Sequence, residues 1–197
     1  MKSEKDALGR WANDPDVLVK MSAANAKQAR RSAIDLVANG ATVLLSWGVA
    51  GALDPALSCG TIVRPAKVNH EGKIVEASAL ENASGTVSGS DQIASTPVDK
   101  ATLFRTTSAG IVDMESHILA SVASSQNLPF AVIRAVSDSA DTKLPVGVEK
   151  ALRADGRPRI ASALMQMAIR PWQIPLWVKA GRDSGRALKA LKAVAET

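Results

Sequence analysis

The sequence predicts one α/β domain with a central mixed β-sheet flanked by helices, and three observations carry the prediction. A short, continuously apolar run at 43–45, a second apolar run at 109–112 and the largely apolar stretch 128–136 have the pattern of buried strands. Segments with helical spacing alternate with them, the arrangement of α/β rather than all-β chains. A chain of 197 residues with 46% hydrophobic content fills a single core.

The elements follow in order. Residues 22–38 place Ala26, Ala29, Ala33, Ile34 and Val37 on one helical face, and Asn39-Gly40 is the stop signal. The apolar run 43–45 is a buried strand ending before Gly48. Residues 61–68 and 72–79 read as two strands around the turn Asn69-His70-Glu71-Gly72. A polar interval at 82–96 leads to the apolar run 109–112, a helix over 114–125, and a third buried strand ending at Ser137. Beyond Asp141 the chain turns helical: 160–169, a break at Pro171 and Pro175, then 183–195 with Leu188, Leu191 and Val194 on one side.

Composition excludes several classes. A single cysteine, Cys59, cannot form an internal disulfide, and the two histidines, His70 and His117, have no metal-ligand spacing, so neither metal nor cofactor is expected. No signal-peptide pattern and no long apolar run is present, so the expected location is cytoplasmic. Net charge is +5, but residues 151–197 hold nine Lys/Arg against three Asp/Glu, so the basic character belongs to this helical C-terminal segment of the one domain 1–197. With 3% aromatic residues and no Tyr, the chain lacks the stacking groups of a single-strand nucleic-acid binder.

In open α/β sheets ligands bind beyond the carboxyl ends of the strands. Three stretches place polar groups or glycines there. SWGVAGALDP (46–55) carries Gly48 and Gly51, which allow close backbone approach to a ligand or simply a turn. VIRAVSDSAD (132–141) carries Ser137, Asp138 and Asp141, which serve a substrate or make an Asx turn or helix cap. GIVDMESHILA (110–120) carries Asp113 and Glu115, acids that also suit the positive end of a helix.

Taken together and in this order, the three stretches resemble the nucleoside phosphorylase and nucleosidase family, which includes purine nucleoside phosphorylase and methylthioadenosine/S-adenosylhomocysteine nucleosidase. The matching motifs are G-x-A-G-x-L-x-P at 48–55, V-x-M-E-[ST] at 112–116 and R-A-[IV]-S-D-x-A-D at 134–141. The tail, LPVGVEKALRADGRPRI followed by RPWQIPLWVKAGRDSGRALKAL, resembles the hopanoid-associated phosphorylase branch, whose members remove adenine from adenosylhopane.

The resemblance implies cleavage of the N-glycosidic bond of a 5′-modified adenosine. Asp138 would bind adenine N7 and act as general acid, with Ser137 orienting its carboxyl. Glu115 would accept hydrogen bonds from the ribose hydroxyls, over Met114 as an apolar floor. Gly48, Val49 and Ala50 would line the substrate, and Glu4 would hold the attacking water. Phosphorolytic members present an Arg and a Ser where this chain has Ser46 and Val49, so the nucleophile stays open between phosphate and water. A first buried strand expected before Ser3 is missing from the pattern, which implies a groove in the sheet.

The other partners implied are a second copy of the chain and, through the basic segment with Trp172 and Trp177, a membrane surface presenting a lipid-linked substrate. Two alternatives stand beside the enzyme. One is a non-catalytic nucleoside-binding relic or subunit. The other, a dinucleotide enzyme, lacks the full G-x-G-x-x-G.

Overall fold

The computed structural model describes residues 2–22, 25–77, 79–148 and 160–196. One mixed sheet of seven strands runs through them in the order β2-β7-β1-β6-β5-β3-β4. The strands are β1 (Leu44–Ala52), β2 (Ile62–Val63), β3 (Lys67–His70), β4 (Lys73–Glu76), β5 (Thr86–Gly89), β6 (Ile111–Asp113) and β7 (Phe130–Asp138). The helices are α1 (Lys2–Asp6), α2 (Ala26–Ala38), α3 (Pro97–Thr107), α4 (Ser116–Ser125), α5 (Ile160–Ile169) and α6 (Ile174–Glu196). Pairings β1–β7, β3–β5 and β5–β6 are parallel, while β1–β6, β2–β7 and β3–β4 are antiparallel.

Apolar residues alternate between two layers. Val132 and Val136 of β7 join Ala33 of α2 and Ala120 and Ala123 of α4 in one cluster. Ile133 and Ala135 join Ala187 and Leu191 of α6 in another. That double burial is why β7 reads as a largely apolar run, interrupted by Arg134, rather than an alternating one. On α6 the buried positions Asp183, Ala187, Leu191 and Ala195 recur every four residues, forming one stripe toward the sheet.

Several elements differ from the sequence reading. The first strand does not stop before Gly48 but continues to Ala52, because β7 pairs with it through Val49 and Ala50 to Gly51. The polar interval 82–96 contains β5, and α3 follows it, held by a capping box between Thr96 and Asp99 with Pro97 in its first turn. Pro175 breaks nothing: it sits at the second position of α6, where the missing N–H is not needed. In α2 the buried face is Ala29, Ser32 and Ala33, and Ile34 faces solvent. Asn25 caps that helix, accepting from Gln28 N at 3.0 Å. Residues 149–159, part of the stretch that resembles the hopanoid branch, lie outside the described residues.

The pairing of β1 with β6 is confined to Gly51↔Val112 and Ala52↔Ile111. Among the described residues no other strand pairs the 44–50 edge that faces away from β7. Helix α1 approaches it instead, and Val49 N donates to Glu4 Oε1 at 3.0 Å.

Candidate active site

Strand β7 ends in a bulge. Ala50 lies opposite Val136 and Gly51 opposite Asp138, so Ser137 is the extra residue and Asp138 takes the place over Gly51. A Cβ on Gly51 would stand 3.1 Å from Asp138 Oδ2, tighter than ordinary packing, so glycine here makes room for the carboxylate. Ser137 Oγ lies 2.7 Å from Asp138 Oδ1 and 3.2 Å from Ala50 O, and donates to these oxygens.

The other oxygen of Asp138 meets Lys100, which the sequence reading missed. This lysine of α3 is fully buried, and its Nζ donates to Asp138 Oδ2 at 2.5 Å, to Ser139 O at 2.7 Å and to Thr142 O at 3.2 Å. Three acceptors match the three hydrogens of an ammonium, the condition under which burying that charge is tolerated. Asp141, by contrast, accepts from Ser139 Oγ at 2.6 Å at an exposed turn, as the turn reading of that stretch has it.

Below the strand ends lies a second buried cluster. Arg134 Nε donates to Asp113 Oδ2 at 2.7 Å, and Arg134 NH2 to Ser46 Oγ at 2.5 Å and Ser116 Oγ at 3.1 Å. Ser116 Oγ also donates to Asp113, and Asp113 Oδ1 accepts from the amides of Glu115 and Ser116. Burial pushes the Asp113 carboxyl up, but the Arg134 guanidinium with the Ser116 hydroxyl and amide outweighs it and holds the group below the usual carboxylate range. Asp113 thus caps the start of α4, as an ordinary helix-start acid would, and also neutralises Arg134. Ser46 belongs to this cluster rather than to the wall of the cavity.

Above the cluster opens a cavity of about 520 Å³. Its wall includes all eight residues selected from the sequence: Glu4, Gly48, Val49, Ala50, Met114, Glu115, Ser137 and Asp138. A Cβ on Gly48 would stand 2.6 Å from Glu4 Oε1, so glycine there admits the Glu4 carboxylate. Large apolar side chains, Leu144, Val148, Leu164, Met167 and Trp177, also line the cavity. Five acids line the cavity, Glu4, Asp113, Glu115, Asp138 and Asp183, against one base, Arg134, among the described residues.

Acids and glycines converging on one cavity at the strand ends of a mixed sheet make a candidate binding site for a small polar molecule. Residues 74–168, a span that contains Met114, Glu115, Ser137 and Asp138, match the family model of the phosphorylase superfamily. The chain's fold is that of nucleoside-cleaving enzymes. Futalosine hydrolase of Helicobacter pylori superposes with a TM-score of 0.59 at 17% identity, over 90% of this chain and 77% of that one. The 5′-methylthioadenosine/S-adenosylhomocysteine nucleosidase of Campylobacter jejuni gives 0.59 at 16% identity, over 98% and 96%. The H. pylori nucleosidase of the same type gives 0.57 at 16% identity, over 90% and 77%. No curated protein matches the chain.

Proposed function

We propose that this chain is a nucleosidase that cleaves the N-glycosidic bond of a 5′-modified adenosine, releases adenine, and acts on adenosylhopane to leave a ribosyl hopane. The observation that carries the reading is one cavity whose lining joins carboxylates at the strand ends, Glu115 and Asp138 among them, to a set of large apolar side chains. Asp138 hydrogen-bonds the base and delivers a proton to N7, so that the C1′–N9 bond breaks with its electron pair on adenine. The Lys100 ammonium, in contact with Oδ2, is a proton-bearing group at hand for that step. Glu115 accepts hydrogen bonds from the ribose hydroxyls and favours the positive charge that develops on the sugar. Glu4 takes the proton of the water that attacks C1′.

Water is favoured over phosphate as nucleophile by charge. Among the described residues the one guanidinium of the cavity wall is already neutralised by Asp113, so the wall lacks a free bidentate donor for a phosphate. The apolar lining suits a hydrocarbon 5′ substituent. The exposed side chains of Leu164, Met165, Ile169 and Trp172 beside it, in the basic C-terminal segment, suit work at a membrane surface. Among the described residues no helix is long and apolar enough to cross a membrane. Assembly as a homo-oligomer completes the reading and is checked by light scattering.

The test is adenine release from adenosine, 5′-methylthioadenosine and adenosylhopane in detergent, with and without phosphate. The expected result is turnover of the lipid-linked substrate to free ribosyl product without a requirement for phosphate. Asp138→Asn should lose about 100- to 10,000-fold with its fold intact. A phosphate requirement would make the chain a phosphorylase. Binding of nucleosides without turnover would make it a binding module.

A further inference from the structure

His70 and His117 stand 47 residues apart in the sequence, yet the fold stacks their rings with centroids 4.1 Å apart and planes 19° from parallel. His70 closes β3, His117 lies in the first turn of α4, and Asp91 follows β5 between them. One donor atom from each of the three lies within 4.8 Å of the others. We propose that His70, Asp91 and His117 form a binding site for a divalent transition metal of the zinc class, separate from the nucleoside cavity and independent of the proposed reaction.

The tautomer of His70 can be read from its partner. His70 Nδ1 lies 3.0 Å from Gly89 O, and a carbonyl only accepts, so the hydrogen is on Nδ1 and Nε2 carries the lone pair. An imidazole tied through one nitrogen to a backbone carbonyl, with the other free to ligate, is the usual arrangement around a metal. His117 is under-satisfied for a purely structural residue. Its side chain is 8% exposed, Nδ1 is buried with no hydrogen-bond partner, and Nε2 reaches only Asp91 Oδ1, at 3.3 Å.

Gly89 builds the site from the strand side. Its carbonyl orients His70, and any Cβ there would collide with the His117 ring. Two imidazoles and a carboxylate are the donor set of zinc and its neighbours, with a fourth position left for water. Tetrahedral ligation asks for donors roughly 3.4 Å apart. The stacked rings direct their in-plane lone pairs side by side, so ligation also turns His70 out of the stack about its Gly89 bond, and Asp91, 69% exposed, rotates to meet the ion. A bound ion would also fix the segment after Asp91, whose Gln92, Ile93 and Ala94 wall the nucleoside cavity.

The experiment uses tag-free, chelator-treated full chain titrated with Co²⁺, read by its visible d–d absorption, and then with Zn²⁺ as competitor. One saturable Co²⁺ per chain, displaced by Zn²⁺, is expected. Asp91→Asn should weaken binding at least tenfold and His70→Gln at least a hundredfold. Asp91 is exposed, so its variant folds and remains informative even if His70→Gln does not. Absence of saturable binding below millimolar metal, or binding in Asp91→Asn equal to that of the unmodified chain, would overturn the proposal.

Discussion

Replacing Asp113 with Asn is the sharpest test of how the site is supported. The Arg134–Asp113 pair is buried on both sides, with side chains 2% and 4% exposed and a 2.7 Å bond. Asparagine keeps an acceptor for the amides of Glu115 and Ser116, so the start of α4 stays capped. It also turns the oxygen facing Arg134 Nε and Ser116 Oγ into an NH₂, and donor then meets donor. Breaking one side of a buried pair leaves an uncompensated charge and costs about 3 to 5 kcal/mol. Alanine at the same position should cost about 1 kcal/mol more, because the cap is lost as well. Urea denaturation at pH 7, followed by far-ultraviolet circular dichroism, measures both. Adding Arg134→Met to Asp113→Asn removes the stranded guanidinium and should recover about 2 kcal/mol or more in a double-mutant cycle. A loss under about 1 kcal/mol for the single variant, or an additive cycle, would refute the account.

The same pair fixes the acid side of the stability curve. The Asp113 carboxyl sits lower in the folded chain than the ~3.9 of an unfolded aspartate. Its contribution is therefore whole above about pH 4 and is lost as the pH falls through the folded value. The unmodified chain should lose stability more steeply below pH 4 than Asp113→Asn does. Equal acid limbs would contradict the assignment.

Three further substitutions bear on the cavity. Lys100→Met, close in length but uncharged, should lower adenine release by about 100-fold through Asp138 with little change in KM, and the pH–rate profile should change shape; an unchanged profile would make Lys100 only structural. Gly48→Ala should displace the Glu4 carboxylate rather than backbone, since Glu4 Oε1 is the atom a Cβ would strike, so turnover should drop while urea stability shifts by about 1 kcal/mol or less. Trp177→Ala should raise KM for an apolar 5′-substituted substrate by about tenfold and leave plain adenosine within about twofold, because it trims apolar lining and removes none of the carboxylates; equal effects on both substrates would place the 5′ group elsewhere.

Each polar strand end couples an apolar run to an unusual local composition, but that left turns and helix caps open; the joint resemblance of the three singled out seven residues there and Glu4 of α1, and all eight line one cavity. What the sequence concealed is made by the fold. Lys100 is 38 positions from Asp138 and looks like any solvated lysine on a helix. The helix carrying it announces itself only through Thr96-Pro97 and Asp99, a capping signature that the preceding polar stretch obscured. Arg134 lay inside a recognised motif without a role, because its partner Asp113 is 21 positions away on another strand. The two histidines had no metal-ligand spacing along the chain and meet only because β3 and α4 pack side by side. Gly48 and Gly51 suggested a turn. Here they are strand residues whose missing side chains are replaced by the carboxylates of Glu4 and Asp138.

Two buried cation–carboxylate pairs on β7 differ in what they leave open to the cavity. Arg134 is closed off: Asp113, Ser46, Ser116 and the carbonyl of Ile133 engage all three of its nitrogens. Such a pair can hold β6, β1 and α4 together but has little left to offer a substrate. Asp138 lies past the bulge at Ser137, which moves its carboxylate over Gly51 and to the wall of the cavity. Lys100 and Ser137 fill two of the roughly four lone-pair sites of that carboxylate, leaving the others available to a purine edge. A regular ladder would have set Ser137 opposite Gly51 in its place. Deleting Ser137 should therefore straighten the strand and abolish adenine release even though Asp138 and Lys100 are both retained, whereas Ser137→Ala, which keeps the bulge, should retain part of it.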